Sequence, residues 1–476
     1  MYKSKQLAQK LEQQIQNGVW DCHQKLPSLR EQAQRSGFSL MTVRNAYQTL
    51  EAQGLIYAKE KSGYFISANT TLKPSANLNQ KIQINSKIFQ YLKATQQPDI
   101  IGFGSAFPDS RLLYAPKFLQ MMAQHARHPA RYNPMDSLPP GQLALREKIA
   151  QRYRMQGVAT SADDIVITSG GLDALNLALQ SVAKAGDYIL LQQTIFYGAW
   201  QAAERLGLNV ITIPEHPHDG FDLEAFRTAL NTYPIKVCWF MLNSHNPIGF
   251  TVNEGIKLKI SQILQQHQVY LIEDDVYEEL YYGHTKPRAM KYYDQDNWVL
   301  HCASFSKTLG ADCRIGWIHA GKFSNTIQHL QLMSTLSANN LIQHTLVDFL
   351  SGHHYEQHLR QLKRRLESRK KQFYSFLVQH LPNNCEVFYY PSGYFLWIQL
   401  PEHLNSMYIY QYLLQFKISI APAQLFNLLN PQQHFLRINC SFEWSAHIEE
   451  ALTLLVQSIQ NYSTLVELSG SSLQAP

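Results

Sequence analysis

The apolar positions change their period along the chain, and those changes divide it. Leu7, Leu11 and Ile15 recur every fourth residue, the spacing of one helix face, and Gly18 is placed to end that helix. Ser28, with Glu31 three residues on, forms a capping box that opens a second helix, which Gly37 ends. Ser39 caps a third helix running through Thr42, Val43, Arg44, Asn45, Ala46 and Tyr47 to Leu50, with Gly54 as its stop. Residues 55–58 and 64–66 read as strands around Lys59-Glu60-Lys61-Ser62-Gly63, a hairpin with a basic tip. Two short helices joined by a glycine turn and followed by such a hairpin form a winged helix-turn-helix pattern.

Residues 68–85 are polar, small and undemanding, the composition of a flexible linker, and 86–97 read as a short amphipathic helix. From about residue 145 onward, strand-like and helix-like runs alternate. Strands are expected at 165–168, 188–191, 209–213, 235–242, 269–273 and about 298–302, with helices at 172–184, 197–206 and 254–267. This alternation predicts an α/β unit, a mostly parallel sheet wrapped by helices. Ligands in such sheets collect at the carboxyl ends of the strands. The organisation read here is a winged helix over 1–67, a linker over 68–85 and a second unit over 86–476.

Composition narrows the class. With 476 residues, 45% apolar and 16% charged, the chain has ample core material, which excludes disordered, collagen-like and low-complexity classes. No run approaches the roughly 18 uncharged apolar residues of a membrane helix. The first residues, MYKSKQLAQKLEQQ, carry no apolar signal-peptide core, so the expected location is cytoplasmic. Six cysteines (22, 238, 302, 313, 385, 440) lie without a CxxC or metal-like spacing and read as reduced, structural thiols; no metal site is expected. Of the net charge of +6, residues 1–66 hold nine Lys/Arg against five acids, 9 − 5 = +4. A basic surplus in one seventh of the length points toward nucleic acid.

A helix N-terminus offers free N–H groups to phosphate while side chains of its first turns reach base edges in the major groove. Arg30, Thr42, Arg44 and the wing residue Lys61 are the groups for duplex DNA, with the cap Ser39 at the helix start.

In the second unit, polar groups follow the apolar runs at four places. Ser169-Gly170-Gly171 opens a helix with bare backbone, which suits a phosphate. Asn243-Ser244-His245-Asn246-Pro247-Ile248-Gly249 is a turn by composition. Glu273-Asp274-Asp275-Val276-Tyr277 places acids where a strand leaves the sheet, and Ser304-Phe305-Ser306-Lys307 follows another strand, with Arg314 beyond it. Together they supply what pyridoxal phosphate requires: a lysine, a carboxylate for the pyridinium nitrogen, donors for the ring oxygen and a phosphate cradle. Lys307, Asp274, Asn246 with Tyr277, and Gly170, Gly171, Ser304, Ser306 and Arg314 fill these roles in turn.

Residues 1–68 resemble the winged-helix domain of GntR-family transcription regulators through Lys25-Leu26-Pro27-Ser28-x-Arg30-Glu31, Ser39-x-x-Thr42-Val43-Arg44-x-Ala46-Tyr47-x-x-Leu50-Glu51-x-x-Gly54-Leu55-Ile56 and Ser62-Gly63. By that resemblance Arg30, Thr42, Arg44, Ser62 and Gly63 contact DNA. Residues 99–470 resemble fold-type I aminotransferases through Ser304-x-Ser306-Lys307, Arg314-x-Gly316, Asn246-Pro247-x-Gly249 and Asp274-x-x-Tyr277. The resemblance implies a large domain with a mostly parallel sheet and a smaller α+β domain. It makes Lys307 the Schiff-base lysine and Asp274 the pyridinium partner. Phe196, or its neighbour Tyr197, would stack on the ring, and Arg437 in Phe435-Leu436-Arg437-Ile438-Asn439 would clamp a substrate carboxylate, where Lys would substitute poorly. Ile248 and Asp312 depart from the family pattern, and Asp136 stands where the family's neighbour-subunit phosphate tyrosine is expected, with Tyr132 four residues before it.

The two resemblances in one chain are similar to the MocR-type regulators, and Leu-Pro-Pro-Gly at 138–141 with Ser-Gly-Tyr-Phe-Leu-Trp at 392–397 looks most like their YdcR-like branch. Such proteins are homodimers in which pyridoxal phosphate, or its adduct with an amino acid or amine effector, changes how the paired winged helices hold DNA. The resemblance thus implies a pyridoxal-phosphate-dependent regulator. An active aminotransferase with an accessory DNA-binding domain is the alternative.

Overall fold

Residues 3–16, 24–59, 62–67, 84–97, 99–128, 133–215, 220–428 and 433–462 are described by the computed structural model. The sequence expectations at Gly18, Cys22, Lys61, Tyr132 and 68–83 lie outside them. The chain divides into two units, Met1–Ser75 and Ala76–Pro476.

In the first unit, helices α1 (Lys3–Gln16), α2 (Leu29–Ser36) and α3 (Leu40–Ala52) precede the antiparallel hairpin of β1 (Ile56–Lys59) and β2 (Gly63–Ile66). The expected caps form. Ser28 N–H donates to Glu31 Oε2 at 2.8 Å, and Glu31 N–H returns to Ser28 Oγ at 3.3 Å. Donation from Ser28 to the carboxylate, its backbone N–H first, holds the Glu31 carboxyl below the usual range. Gly37 ends α2 with φ of 66°, and Ser39 Oγ accepts Thr42 N–H at 3.2 Å to open α3. Leu7, Leu11 and Ile15 meet Val43, Ala46, Tyr47 and Leu50 of α3 and Ile56 and Ile66 of the hairpin in one core. Each large aliphatic side chain buried there contributes about 1.5–3 kcal/mol. Tyr47 also donates from its hydroxyl to Pro27 O at 2.9 Å, which ties α3 to the turn before α2.

The second unit is described from the helix Ile84–Ala94, which begins two residues before its expected start. Its strands are β3 (Ile101–Gly102), β4 (Ile165–Thr168), β5 (Tyr188–Gln192), β6 (Asn209–Ile213), β7 (Ile235–Phe240), β8 (Tyr270–Asp274), β9 (Val299–Ser304), β10 (Gly316–His319), β11 (Glu386–Phe388), β12 (Phe395–Gln399), β13 (Ile418–Ser419), β14 (Ala421–Pro422) and β15 (Phe435–Asn439). Seven form the large sheet in the order β4-β10-β9-β8-β7-β5-β6. Only β10 runs antiparallel to its neighbours in it. Strands β4 and β9 are buried at every position, which explains why their expected segments read as apolar runs rather than alternating ones, and β10, equally buried, is not among the strands expected from the sequence. Strand β7 stops at Phe240 instead of residue 242 because the Met241 N–H turns to the Gln192 side chain at 2.8 Å. A smaller antiparallel sheet, β11-β12-β15-β14, packs with the helices Ser406–Leu414 and Ala446–Gln460 as the α+β part.

Candidate functional site

Strand register brings the predicted chemistry to one edge. Asp274 ends β8 opposite Cys302, Ser304 ends β9 opposite Gly316, and Gly316 lies opposite Thr168 at the end of β4. Directly beyond Thr168, the helix Gly171–Val182 begins, and directly beyond Ser304 comes Lys307. Residues from 168 to 316 are therefore gathered by sheet pairing alone.

Lys307 Nζ donates to Ala106 O at 2.8 Å, 5.2 Å from the Phe107 ring centroid and 5.5 Å from that of Tyr277. Burial, with Arg437 adding a like charge, pushes its amine down to about 8. Asp274 is buried, and that burial, with the like charge of Asp275, pushes its carboxyl up to about 7 against the Val276 N–H, the Trp239 indole and the nearby Lys307. Its Oδ1 has no hydrogen-bond partner. An unsatisfied buried carboxylate oxygen is costly unless a donor arrives, and a ring N–H is the kind of donor that fits.

The turn before the helix Gly171–Val182 is built for close approach. Gly170 has φ of +103°, and a Cβ there would come within 2.7 Å of Arg314 Nη2. At Gly171 a Cβ would lie 2.9 Å from Val276 and 3.3 Å from Ser304 Oγ. Arg314 donates from Nη2 to Ser169 O at 2.8 Å, and Ser306 Oγ is buried without a partner. The helix-start backbone, the Arg314 guanidinium and the Ser304 hydroxyl come together there, a set that suits a phosphate.

Arg437, in β15, is 1% exposed. It donates from Nη1 to Asn246 Oδ1 and from Nη2 to Gly104 O, each at 2.6 Å, and its Nε has no partner. The guanidinium carbon sits 4.1 Å from the Phe395 ring centroid. Asn246 is buried, its Oδ1 taken by Arg437, so its amide nitrogen is the group that can donate to a ring oxygen. Tyr277 is buried, and its hydroxyl is pushed above the usual range by that burial. Phe196 and Tyr197 lie side by side with centroids 4.5 Å apart, both half-buried, and the choice between them for stacking stays open.

Sequence reasoning missed several neighbours. Ala106 O accepts both Lys307 and the Tyr394 hydroxyl, the latter at 2.9 Å. Behind Asp274, a buried chain runs from Lys257 Nζ to Asn243 Oδ1, from Asn243 Nδ2 to Asp275 Oδ2, on to His301, and from His301 Nδ1 to the Tyr153 hydroxyl. Burial lowers the His301 imidazolium, but Asp275 and Glu273 outweigh it and raise the group to about 9. Glu273, Asp275 and His301 bring ligand-type atoms within 4.8 Å of one another. His301 and Asp275 already bond each other at 3.2 Å, and Glu273 accepts the Met290 N–H.

On the first unit, Arg30, Ser39 and Arg44 are exposed and Thr42 is half-buried, its Oγ1 2.8 Å from Ser39 Oγ. Ser62 and Gly63 turn the hairpin, and Lys25 Cε would lie 3.4 Å from a Cβ at Gly63, which adds a cation to that turn. Leu40 and Met41 in the first turn of α3 are 49% and 63% exposed, apolar groups of the kind that meet a thymine methyl.

A winged helix-turn-helix and an α/β unit with an amine, a carboxylate and a phosphate-type cradle at its strand ends define a helix-turn-helix regulator with an aminotransferase-like domain. Residues 112–455 match the family Aminotransferase class I and II, and residues 3–66 match Bacterial regulatory proteins, gntR family. The chain belongs to the aminotransferase class I and II family and carries a gntR-family domain before it, the MocR-type combination. It is 43% identical to the HTH-type transcriptional regulator YdcR of Escherichia coli K12 over 97% of this chain and 99% of that one. Against YjiR of the same organism it is 30% identical, over 96% and 99%. The Pyrococcus horikoshii kynurenine aminotransferase, solved in complex with PMP, superposes with a TM-score of 0.73 at 22% identity, over 81% of this chain and 96% of that one. The gntR-type domain makes this a DNA-binding regulator, and its larger domain has the fold of pyridoxal-phosphate-dependent enzymes. No helix among the described residues is long and apolar enough to cross a membrane.

Proposed function

We propose that this chain is a cytoplasmic, homodimeric transcription regulator that binds pyridoxal phosphate and answers to an amino-group effector. A winged helix over 1–67 would be joined through 68–85 to a cofactor unit over 86–476. The observation that carries the reading is the unpartnered, buried Asp274 Oδ1 and Ser306 Oγ on the sheet edge that also bears Lys307. Bound there, pyridoxal phosphate supplies an aldehyde that condenses with amines and a ring that withdraws electrons. Lys307 would hold the aldehyde carbon, Asp274 would keep the ring nitrogen protonated, and Asn246 and Tyr277 would donate to the ring oxygen. Gly170, Gly171, Ser304, Ser306 and Arg314 would hold the phosphate, and Phe196 or Tyr197 would cover the ring. Arg437 would take the carboxylate of an amino acid effector. Arg30, Ser39, Thr42, Arg44, Lys61, Ser62 and Gly63 would face DNA.

An effector regulates only by binding two arrangements of the protein differently, so its signal is a changed DNA affinity. The test is the visible spectrum of the purified chain with pyridoxal phosphate, then with amino acids and amines. A cofactor band that shifts with an amine and persists supports the regulator. The absence of any band overturns it. The second reading, a working aminotransferase, is favoured by the lowered Lys307 amine, which is poised to move protons near neutral pH. A band that converts to the pyridoxamine form and returns with a keto acid would establish that reading.

A further inference from the structure

Gly104 O accepts the Arg437 guanidinium at 2.6 Å, and the same carbonyl accepts the Tyr91 hydroxyl at 3.0 Å. Tyr91 lies on the helix Ile84–Ala94, the first described element of the second unit, and is buried. Its hydroxyl also lies 3.1 Å from Ile420 O, so one proton serves two carbonyls. There is no slack at this junction. A Cβ at Gly104 would fall 2.2 Å from the Tyr91 oxygen and 2.6 Å from the Ile420 carbonyl. Ile420 is followed by Ala421, whose backbone pairs with Arg437 itself. Gly104 N–H in turn donates to Ser419 O at 2.8 Å. The loop Arg437 – Gly104 – Tyr91 – Ile420 therefore closes on the same strand edge.

We infer that Tyr91 is a positioning residue: its hydroxyl fixes the Gly104 carbonyl that orients Arg437, and so couples carboxylate capture at Arg437 to the helix that follows residues 68–83. The inference rests on the proposed role of Arg437 as an effector clamp. A buried carbonyl with two donors holds a guanidinium in one plane, and with one donor removed it must satisfy itself through Arg437 alone. An arriving carboxylate competes with that hold. With Tyr91 in place, Gly104 O keeps a donor when Arg437 turns to the ligand, and the helix bearing Tyr91 is drawn along.

The test uses the full chain loaded with pyridoxal phosphate, as wild type, Tyr91→Phe and Tyr410→Phe. Tyr410 packs beside Tyr91 with ring centroids 5.4 Å apart, so its variant removes a hydroxyl from the same cluster. Each is titrated with the twenty common L-amino acids and with the carboxyl-free amine matching whichever binds, followed by the cofactor band. Each is also titrated onto a duplex selected from random DNA by the wild-type chain, with and without that amino acid. Tyr91→Phe is expected to bind the amino acid roughly five- to hundredfold more weakly, to bind the amine as wild type does, and to lose the amino acid's effect on DNA. Tyr410→Phe is expected to follow wild type. Equal weakening for amino acid and amine, or no weakening at all, overturns the role of Tyr91. A wild-type band that ignores every amino acid overturns instead the reading of Arg437 on which the inference stands.

Discussion

Arg437 and Asn246, 191 positions apart, share a hydrogen bond from Nη1 to Oδ1 at 2.6 Å. Both acceptors of the buried guanidinium, Asn246 Oδ1 and Gly104 O, are neutral. Burial accordingly lowers the Arg437 pKa, because its charge has surrendered water without gaining an anion there. An incoming carboxylate would complete it. Replacing Arg437 with Lys keeps the charge but loses the planar fork and the bond to Asn246. Amino acid binding, read from the cofactor band, is expected to weaken by about 1.5–3 kcal/mol in Arg437→Lys, with carboxyl-free amines unaffected. Equal affinity for amino acids in wild type and variant would remove the clamp from this residue.

The position of Lys307 predicts a pH profile. Burial and the charge of Arg437 bring its amine to about 8, and the neutral amine is the form that attacks an aldehyde. The rate at which the cofactor-free chain takes up pyridoxal phosphate should therefore rise with pH to a midpoint near 8, well below that of an exposed lysine. Arg437→Met removes the second cause and should move the midpoint upward. Lys307→Ala should give no cofactor band of the wild-type kind at any pH. A midpoint near that of an exposed lysine would contradict the burial argument.

Asp274 makes the opposite bargain with pH. Its folded-state pKa is raised to about 7, from roughly 3.9 in an unfolded chain. A raised carboxyl holds its proton in the native state over that interval, so its contribution to stability is present below about 4, falls as pH climbs toward 7 and is constant beyond. Asp274→Asn cannot ionise and should raise the melting temperature of the cofactor-free chain at pH 8, with little change at pH 4. The same variant should lose cofactor affinity, because a protonated ring nitrogen no longer meets an anion. Glu215 and Glu273 are also raised to about 7 by burial, so the comparison is between variant and wild type rather than along wild type alone. A variant less stable than wild type at pH 8 would show that Asp274 is already satisfied.

How far the chain could be read in advance follows from where its information is local. The caps at Ser28 and Ser39, the glycine end of α2, and the helices Tyr197–Leu206 and Glu254–His267 rest on short-range spacing, and they were legible. Lys307 and Asp274 stand out in the sequence because one follows β9 and the other ends β8, whereas Arg437, inside β15, is singled out only by the family resemblance. What escaped is long-range. Ala106 O beneath Lys307, Gly104 O against Arg437 and the His301–Asp275–Asn243–Lys257 chain join residues that no spacing links. Backbone carbonyls in particular carry no sequence signature, since any residue can present one. Likewise, Lys25 reaches the wing turn only because its strand-like segment bridges to Phe65.

The winged helix can be tested separately through the salt dependence of its binding. Arg44 is exposed on α3 one turn from the Ser39 cap, while the adjacent Val43 is fully buried. Truncating Arg44 therefore leaves the core of the unit intact. On a duplex selected by the wild-type chain, Arg44→Ala is expected to bind more weakly, and the outcome also says what Arg44 touches. A phosphate contact should weaken all sequences about equally and shallow the salt slope by about one, whereas a base contact should cost about 1–3 kcal/mol and relax preference at one position. Lys25→Ala beside the wing turn should behave in the first way, because a flexible ammonium near a glycine turn is a point charge rather than a fork. Met41→Ala, which removes an exposed apolar group from the first turn, should leave the salt slope alone and lower discrimination for thymine. If Arg44→Ala holds the selected duplex as tightly as wild type at every salt concentration, α3 is not the helix that lies on DNA.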